Sequence, residues 1–378
     1  MRVHILKQAN QWQPGPPRQV GYGIFDPVHF NLHELADRGV EIHFFDESHL
    51  PDGGVADCDV LIVNSWAFFN AFGDPDGKDG ALAALERLSD GIGKLIWFDA
   101  RDSAGTTQFS VMPYVDMYLK KQLYRDRSVY AGISKLRESR LYTEFYSRLL
   151  QHPSPRDLSE DQLAQVDLQP EHLDKLAVGW NIGLEGIAHW AARSSAAHPY
   201  DVTFVHGGER PHSLFAAMST RYASIAIAAQ RRQCMVLVGK LDLPGIVTGR
   251  MPVDRYFATL RKSVAALSPF GWGEICYRDF ESVLCGAALF KPDMECIETW
   301  PDIYRANETY VPFKWDFSDF GDQARRACDP GEAATVSRRA SQIYRDALSC
   351  NGMSAFCDRF CALLAQAATP GRHETLQG

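Results

Sequence analysis

The chain has 378 residues, of which 46% are apolar and 23% charged, which excludes a disordered or fibrous protein and asks for two cores rather than one. Its formal charge is -8, and its 39 Lys and Arg are scattered rather than gathered into a stripe, which argues against a nucleic-acid partner. Apolar runs alternate with helical patterns along the chain. Val3 to Leu6, Val40 to Phe45, Val60 to Val63 and Leu95 to Phe98 read as short strands, and the intervals between them are long enough for crossovers. Helices are predicted at Pro27 to Arg38 and Gly80 to Asp90. This is the rhythm of a parallel sheet covered on both faces.

The segment YLKKQLYRDRSVY carries the densest positive cluster, Lys120, Lys121, Arg125 and Arg127, and reads either as a solvated helix face or as a local basic surface. A polar stretch from Glu160 to Lys175 and the run LAVGWNIGLEGI then lead into a second alternation, beginning near residue 198. Its strands are predicted at Val202 to Val205, Cys234 to Val238, Ala265 to Ser268, Ala287 to Phe290 and Thr309 to Val311. Its helices are predicted at Pro211 to Arg231, Val253 to Ser263, Arg278 to Cys285, Asp319 to Cys328 and Glu332 to Leu348. The expected fold is α/β, with two Rossmann-like doubly wound parallel sheets facing across a cleft. The division is 1–197 for the first domain and 198–350 for the second, and 351–378 form a returning helix and tail.

Nine cysteines without paired short spacing read as reduced thiols in a cytoplasmic protein. Cys350, Cys357 and Cys361 fit one helix face, as packing residues rather than zinc ligands. The opening MRVHILKQ is too short and polar for a signal sequence, and no run approaches the ~20 apolar residues of a membrane span. A soluble chain with at most peripheral membrane contact is expected.

Ligands of open parallel sheets bind beyond the carboxyl ends of the strands, so the polar loops after strands are the places to search. In HGGERPHS, Gly207 and Gly208 permit a sharp turn and Pro211 suits a helix start, so an anion beside Arg210 and a plain glycine turn are both open readings. The stretch SPFGWGEICYRDFESVLCGAALFKPD crowds Glu274, Arg278, Asp279 and Glu281 into one turn with Gly271 and Gly273. A phosphate would suit the helix start beside Arg278, and Glu281 would accept a ribose diol, with Glu274 toward the sugar. The plain alternative is that Asp279 and Glu281 merely stabilise a first helical turn.

The pattern from Ser268-Pro269 through Gly273-Glu274, Glu281 and Gly286-Ala287 resembles the donor signature of retaining GT-B glycosyltransferases, with six residues between the glutamates where the familiar form has seven. The Arg278-Asp279-Phe280-Glu281 variant is similar to a glycosyltransferase-1-like group related to spore-coat maturation proteins. The resemblance is strongest over residues 200–312. It implies that residues 206–210 approach the diphosphate of a nucleotide sugar. It further implies that the loop Gly249 to Pro252, with Arg250 and Met251, meets the base, and that Lys240 is a second cation.

On the acceptor side, the loop QANQWQPGPPRQVGYG, Asp26 and His29 as proton relays, and Asp99 and Asp102 as hydroxyl binders are the candidates, against readings of Asp26 as a helix cap and Asp102 as a turn residue. Asp57-Cys58-Asp59 precedes a strand instead of following one, so no metal role is expected for it; the resemblance implies a nucleotide-diphosphate sugar as co-substrate and no cofactor. The expected partners are a nucleotide sugar and a saccharide or glycolipid acceptor. A sugar-nucleotide epimerase and a non-catalytic sugar-binding protein remain open. A nicotinamide oxidoreductase would need Gly-x-Gly-x-x-Gly after an early strand, and Gly21-Tyr22-Gly23 lacks the third glycine.

Overall fold

The protein is described by a computed structural model that covers residues 1–8, 23–46, 55, 57–72, 78–135, 145–146, 149, 167–195, 198–222 and 224–368. Most of the Gly- and Pro-rich loop from Gln8 to Gly23, with Gly21 and Tyr22, and the start of the polar stretch from Glu160 lie outside the described residues.

The first half contributes β1 (Arg2–Lys7), α1 (Asp26–Phe30), α2 (Leu32–Asp37), β2 (Glu41–Asp46), β3 (Val60–Asn64), α3 (Ser65–Phe72), α4 (Lys78–Gly91), β4 (Lys94–Asp99), β5 (Met117–Lys120), β6 (Gln122–Tyr124) and β7 (Leu176–Val178). Six of these strands form one sheet in the order β2-β1-β3-β4-β5-β7, and every pair in it is parallel. β3 is buried at all five positions. A strand covered on both faces needs a continuous apolar run rather than an alternating one, and VLIVN supplies it.

The second half adds β8 (His212–Ala216), α5 (Ile225–Val238), β9 (Val247–Thr248), α6 (Val253–Leu260), β10 (Ser263–Leu267), α7 (Tyr277–Leu284), β11 (Ala288–Pro292), β12 (Ile297–Thr299), β13 (Val311–Phe313), α8 (Phe320–Ala327), α9 (Pro330–Leu348) and α10 (Cys350–Ala368). The sheet order is β13-β11-β10-β8-β9, again all parallel. Counted within its own sheet, the first half runs 2-1-3-4-5-6 and the second 2-1-3-4-5, so each reverses direction between its first and third strands. Such a switch point opens a crevice at the carboxyl ends. The fold is therefore α/β with two Rossmann-like parallel sheets, as expected from the sequence.

Four local expectations are corrected. The helix predicted from Pro211 to Arg231 is strand β8 followed by α5, whose start is capped by Ser224, which accepts from Ile227 N. The strand predicted at Cys234 to Val238 is the end of α5. In a strand Val236 would share a face with Cys234 and Val238, but it is 52% exposed while Ile227, Cys234 and Val238 are buried, which is helical periodicity. Residues 202–205 stay outside the sheet: Val202 forms an isolated bridge with Arg193, and Val205 N donates to the Leu284 carbonyl at the end of α7. The helix from Pro27 to Arg38 breaks at Asn31, whose amide donates to the Pro27 carbonyl at 2.7 Å.

The two halves are tied along three lines. β6 pairs antiparallel with β12, so a strand from each half shares one ribbon. α10 returns to the first half, where Phe356 packs edge-on to Trp180 at 5.2 Å and Asp358 pairs with Arg38 at 2.9 Å. The third tie joins the loops beyond β4 and β10, both at carboxyl ends, so the two sheets face each other by those edges. Among the described residues no helix is long and apolar enough to cross a membrane.

Candidate functional site

The start of α7 is built by Asp279. Its carboxylate is fully buried, accepts from Cys276 N at 3.0 Å, Ser268 Oγ at 2.6 Å and Tyr304 Oη at 2.8 Å, and pairs with buried Lys291 at 3.2 Å. Every partner lies inside the second half, so Asp279 fixes the helix against the ends of β10 and β11.

Arg278, the next residue back, reaches the switch point. Its Nη2 donates to the Ala217 carbonyl at 2.6 Å, just past β8, and its Nη1 to the Leu267 carbonyl at 3.3 Å, at the end of β10. Its Nε donates to Tyr256 Oη at 3.1 Å, and that hydroxyl donates to Glu281 at 2.7 Å. Arg278 and Glu281 are thus brought together, as expected, through a tyrosine that sequence reasoning missed. Both are half-buried. Burial raises the Glu281 carboxyl above its ordinary range, against the lowering effect of Tyr256 and Arg278. Beside Glu281 a shallow recess is lined in part by His189 and Arg261. His189 is 1% exposed, and burial, Arg193 and His198 hold its imidazole down to about 3.

Arg250 and Met251 follow β9 at the same carboxyl edge, Arg250 exposed and Met251 packed near Phe215. Arg231, also unnoticed in the sequence, braces the neighbouring loop. Its Nε donates to the Phe270 carbonyl at 3.0 Å and its guanidinium lies 4.5 Å from the centre of the Tyr222 ring.

The expectation that Gly207, Gly208, Arg210 and Lys240 share this rim is corrected. Because β8 begins at His212, residues 206–211 precede a strand and sit at its amino end. Gly207 and Gly208 do take left-handed φ of 75° and 86°, but Arg210 donates to the carbonyls of Ser263 at 2.6 Å and Cys285 at 3.0 Å, at the start of β10 and the end of α7. Lys240 follows helix α5 rather than a strand and is exposed.

Between the sheets, two further expectations fail for a shared reason, that a carboxylate already surrounded by donors cannot also serve a ligand. Glu274 is fully buried, accepting from Ser103 Oγ at 2.8 Å and Ala104 N at 3.0 Å in the loop after β4, so it is a strut between halves and not a group facing a sugar. Gly273 is needed for the same approach, since a Cβ there would overlap the Asp102 carbonyl oxygen. Asp99 is fully buried, accepting from Lys120 at 2.8 Å, Tyr118 at 2.7 Å and Arg101 N at 3.0 Å. Burial pushes its carboxyl up, but Lys120 and Arg101 outweigh that and hold it below the ordinary range.

The basic segment after Asp116 is corrected too. It forms β5, β6 and a following turn, and its cations are paired: Lys120 with Asp99, Lys121 with Asp102 at 3.0 Å, Arg125 with Asp302 at 3.4 Å and Arg127 with Glu298 at 2.6 Å.

Asp102 keeps 58% of its side chain exposed and stays at the rim. Asp26 is 4% exposed and accepts from Gly186 N at 2.6 Å. His29 packs between the rings of Phe30 and Phe44, and burial and then Lys7 lower its imidazole. Asp57 and Asp59 engage Arg2 at the amino edge of the first sheet.

One residue outside every expectation enters here. Glu185, beyond β7, is 8% exposed and accepts from Tyr277 Oη at 2.5 Å, across the junction of the two sheets. Burial pushes its carboxyl up to about 7; Asp26 and Asp102 act in the same direction and Lys121 opposes them. The available signal was a lone carboxylate in the otherwise apolar, glycine-bearing run LAVGWNIGLEGI.

No known family pattern and no curated protein matches the chain. Among solved structures it is similar to a DNA-modifying beta-glucosyltransferase, studied with and without uridine diphosphoglucose, at 11% identity, covering 97% of this chain and 100% of that one, with a TM-score of 0.47. An alpha-glucosyltransferase in complex with UDP gives 13% identity, 96% and 99% coverage and 0.45, and Anabaena HepE with UDP and glucose gives 9%, 97% and 99%, and 0.42. Scores below 0.5 leave the architecture to be read from the sheets themselves.

Proposed function

We propose that the protein is a glycosyltransferase that moves a sugar from a nucleotide-diphosphate donor to a hydroxyl acceptor. The observation that carries this reading is the Arg278–Tyr256–Glu281 cluster at the switch point of the second sheet. Ligands of such sheets bind there. Two of the five N–H groups of Arg278 have no hydrogen-bond partner among the described residues, and they suit a diphosphate oxygen. Cleaving the sugar–phosphate bond leaves negative charge on the diphosphate, and a guanidinium already held in place stabilises that charge without reorganising.

In this reading residues 1–197 serve the acceptor, 198–350 hold the donor, and 351–378 cross back. The finer proposals rest on the motif resemblance: retention at the anomeric carbon, membership of the group related to spore-coat maturation proteins, and a saccharide or glycolipid acceptor in bacterial surface assembly at the cytoplasmic side. The test is thermal shift against uridine, guanosine and thymidine diphosphates and their sugars, followed by labelled donor with and without simple glycosides. A nucleotide at 100 times its Kd stabilises the native state by about 2.7 kcal/mol, and Arg278→Ala should abolish that shift. Conversion of donor alone indicates an epimerase, and binding without turnover a sugar-binding protein. No shift with any member of the panel overturns the reading.

A further inference from the structure

We propose that Glu185 is the proton-accepting group of this site, taking the proton of the acceptor hydroxyl as the sugar is transferred. The proposal rests on the glycosyl-transfer reading above and deepens it.

The geometry is specific. Tyr277 and Arg278 are consecutive at the start of α7, and their side chains part in two directions: Arg278 toward the ends of β8 and β10, Tyr277 toward Glu185 of the first half. Glu185 therefore stands on the acceptor-side flank of the same helix start whose other flank holds the proposed diphosphate grip. Its Oε2 accepts from Tyr277, while Oε1 has no hydrogen-bond partner among the described residues. Glu185 itself keeps 8% of its surface exposed, and Tyr277, its partner, is 37% exposed.

The surrounding charges suit a group that must gain and lose a proton near neutrality. Lys121, between β5 and β6, is the facing cation; Asp26 on α1 and Asp102 after β4 are like charges, and Tyr277 on α7 is the neutral donor. Burial with two carboxylates against one ammonium favours the protonated form, which is what a base needs once it has accepted a proton. In the step itself the acceptor O–H breaks and its proton goes to Oε1. The oxygen electron pair forms the bond to the anomeric carbon, and the bond from that carbon to the phosphate oxygen breaks. The leaving pair departs with the nucleoside diphosphate beside Arg278. Glu185 then returns the proton to solvent past Tyr277. Either stereochemical outcome requires the acceptor to lose this proton.

The experiment has two arms. Infrared difference spectra of wild type minus Glu185→Gln follow the carboxyl band without any substrate. The expected midpoint is near 7, and a carboxylate ionised throughout about pH 5 to 9 overturns the proposal. In the second arm the nucleotide sugar selected by thermal shift is used with wild type, Glu185→Gln, Glu185→Asp and Tyr277→Phe. Glu185→Gln should keep the donor-induced shift and a donor KM within about threefold, lose about 10²- to 10⁴-fold in kcat, and lose the rise in rate with pH around neutrality. Glu185→Asp should recover part of the rate, and Tyr277→Phe should move the pH limb to higher pH. Turnover of Glu185→Gln within threefold of wild type with the pH limb intact overturns the proposal while leaving the donor reading standing. A donor that fails to bind wild type overturns that reading instead, and the infrared midpoint then decides Glu185 on its own.

Discussion

Gly273 lies against the Asp102 backbone so closely that no larger residue fits between the two halves of the chain. The contact sets the distance between the carboxyl edges of the two sheets. Gly273→Ala should therefore either destabilise the protein by about 1 to 3 kcal/mol, as overpacking does, or push the halves apart. Urea unfolding measures the first and small-angle scattering the second, and a variant unchanged in both contradicts the contact.

Glu274 predicts a separation of stability from binding. Glu274→Ala removes the acceptor for Ser103 Oγ and Ala104 N and should cost about 1 to 3 kcal/mol. Glu274→Gln, which keeps one acceptor, should cost less. Isothermal titration of either variant with the selected nucleotide should return a Kd within about threefold of wild type; a hundredfold loss would place Glu274 at the donor after all.

Tyr256 is shared by Arg278 and Glu281, so Tyr256→Phe should loosen both. Loss of one hydroxyl between charged groups predicts about 1.5 to 3 kcal/mol in donor binding. Arg210→Ala supplies the contrast, since Arg210 serves the amino edge of the sheet. It should lower stability while leaving donor affinity within about twofold.

Glu185 also makes stability depend on pH, with a definite sign. Its folded carboxyl is raised to about 7 from an ordinary 4.5, so the folded state holds the proton more tightly than the unfolded chain does. That advantage is complete below about 4.5 and is lost as pH rises through about 7. Glu185→Gln should match wild type near pH 4 and exceed it by on the order of 2 kcal/mol at pH 8. Denaturant titrations at the two pH values test this, and a variant less stable at pH 8 refutes it.

The sheets of the first half were legible because strands buried on both faces are continuous apolar runs, and VHIL, VLIV and LIWF stand out as such. HSLFAAM did not, because a proline precedes it and alanines are indifferent to strand or helix; only burial between β10 and β9 settles it as a strand. That single misreading carried Gly207, Gly208 and Arg210 to the wrong edge of the sheet. The juxtaposition of Arg278 and Glu281 was legible from their spacing around a helix start. Glu274, Asp99 and Glu185 were not, since the roles of buried carboxylates depend on donors about 90 to 170 positions away in the case of Glu185 and Glu274, and on Lys120 and Tyr118 for Asp99, none of which local pattern reveals.

The ribbon of β6 with β12 joins Gln122–Tyr124 to Ile297–Thr299. During synthesis the earlier of these segments emerges with its edge uncovered and waits while well over a hundred further residues are made. An uncovered edge is an invitation to pair with a neighbouring nascent chain. Fragments ending before Ile297 should accordingly aggregate or recruit chaperones on the ribosome, and the protein should become stably folded only late in translation.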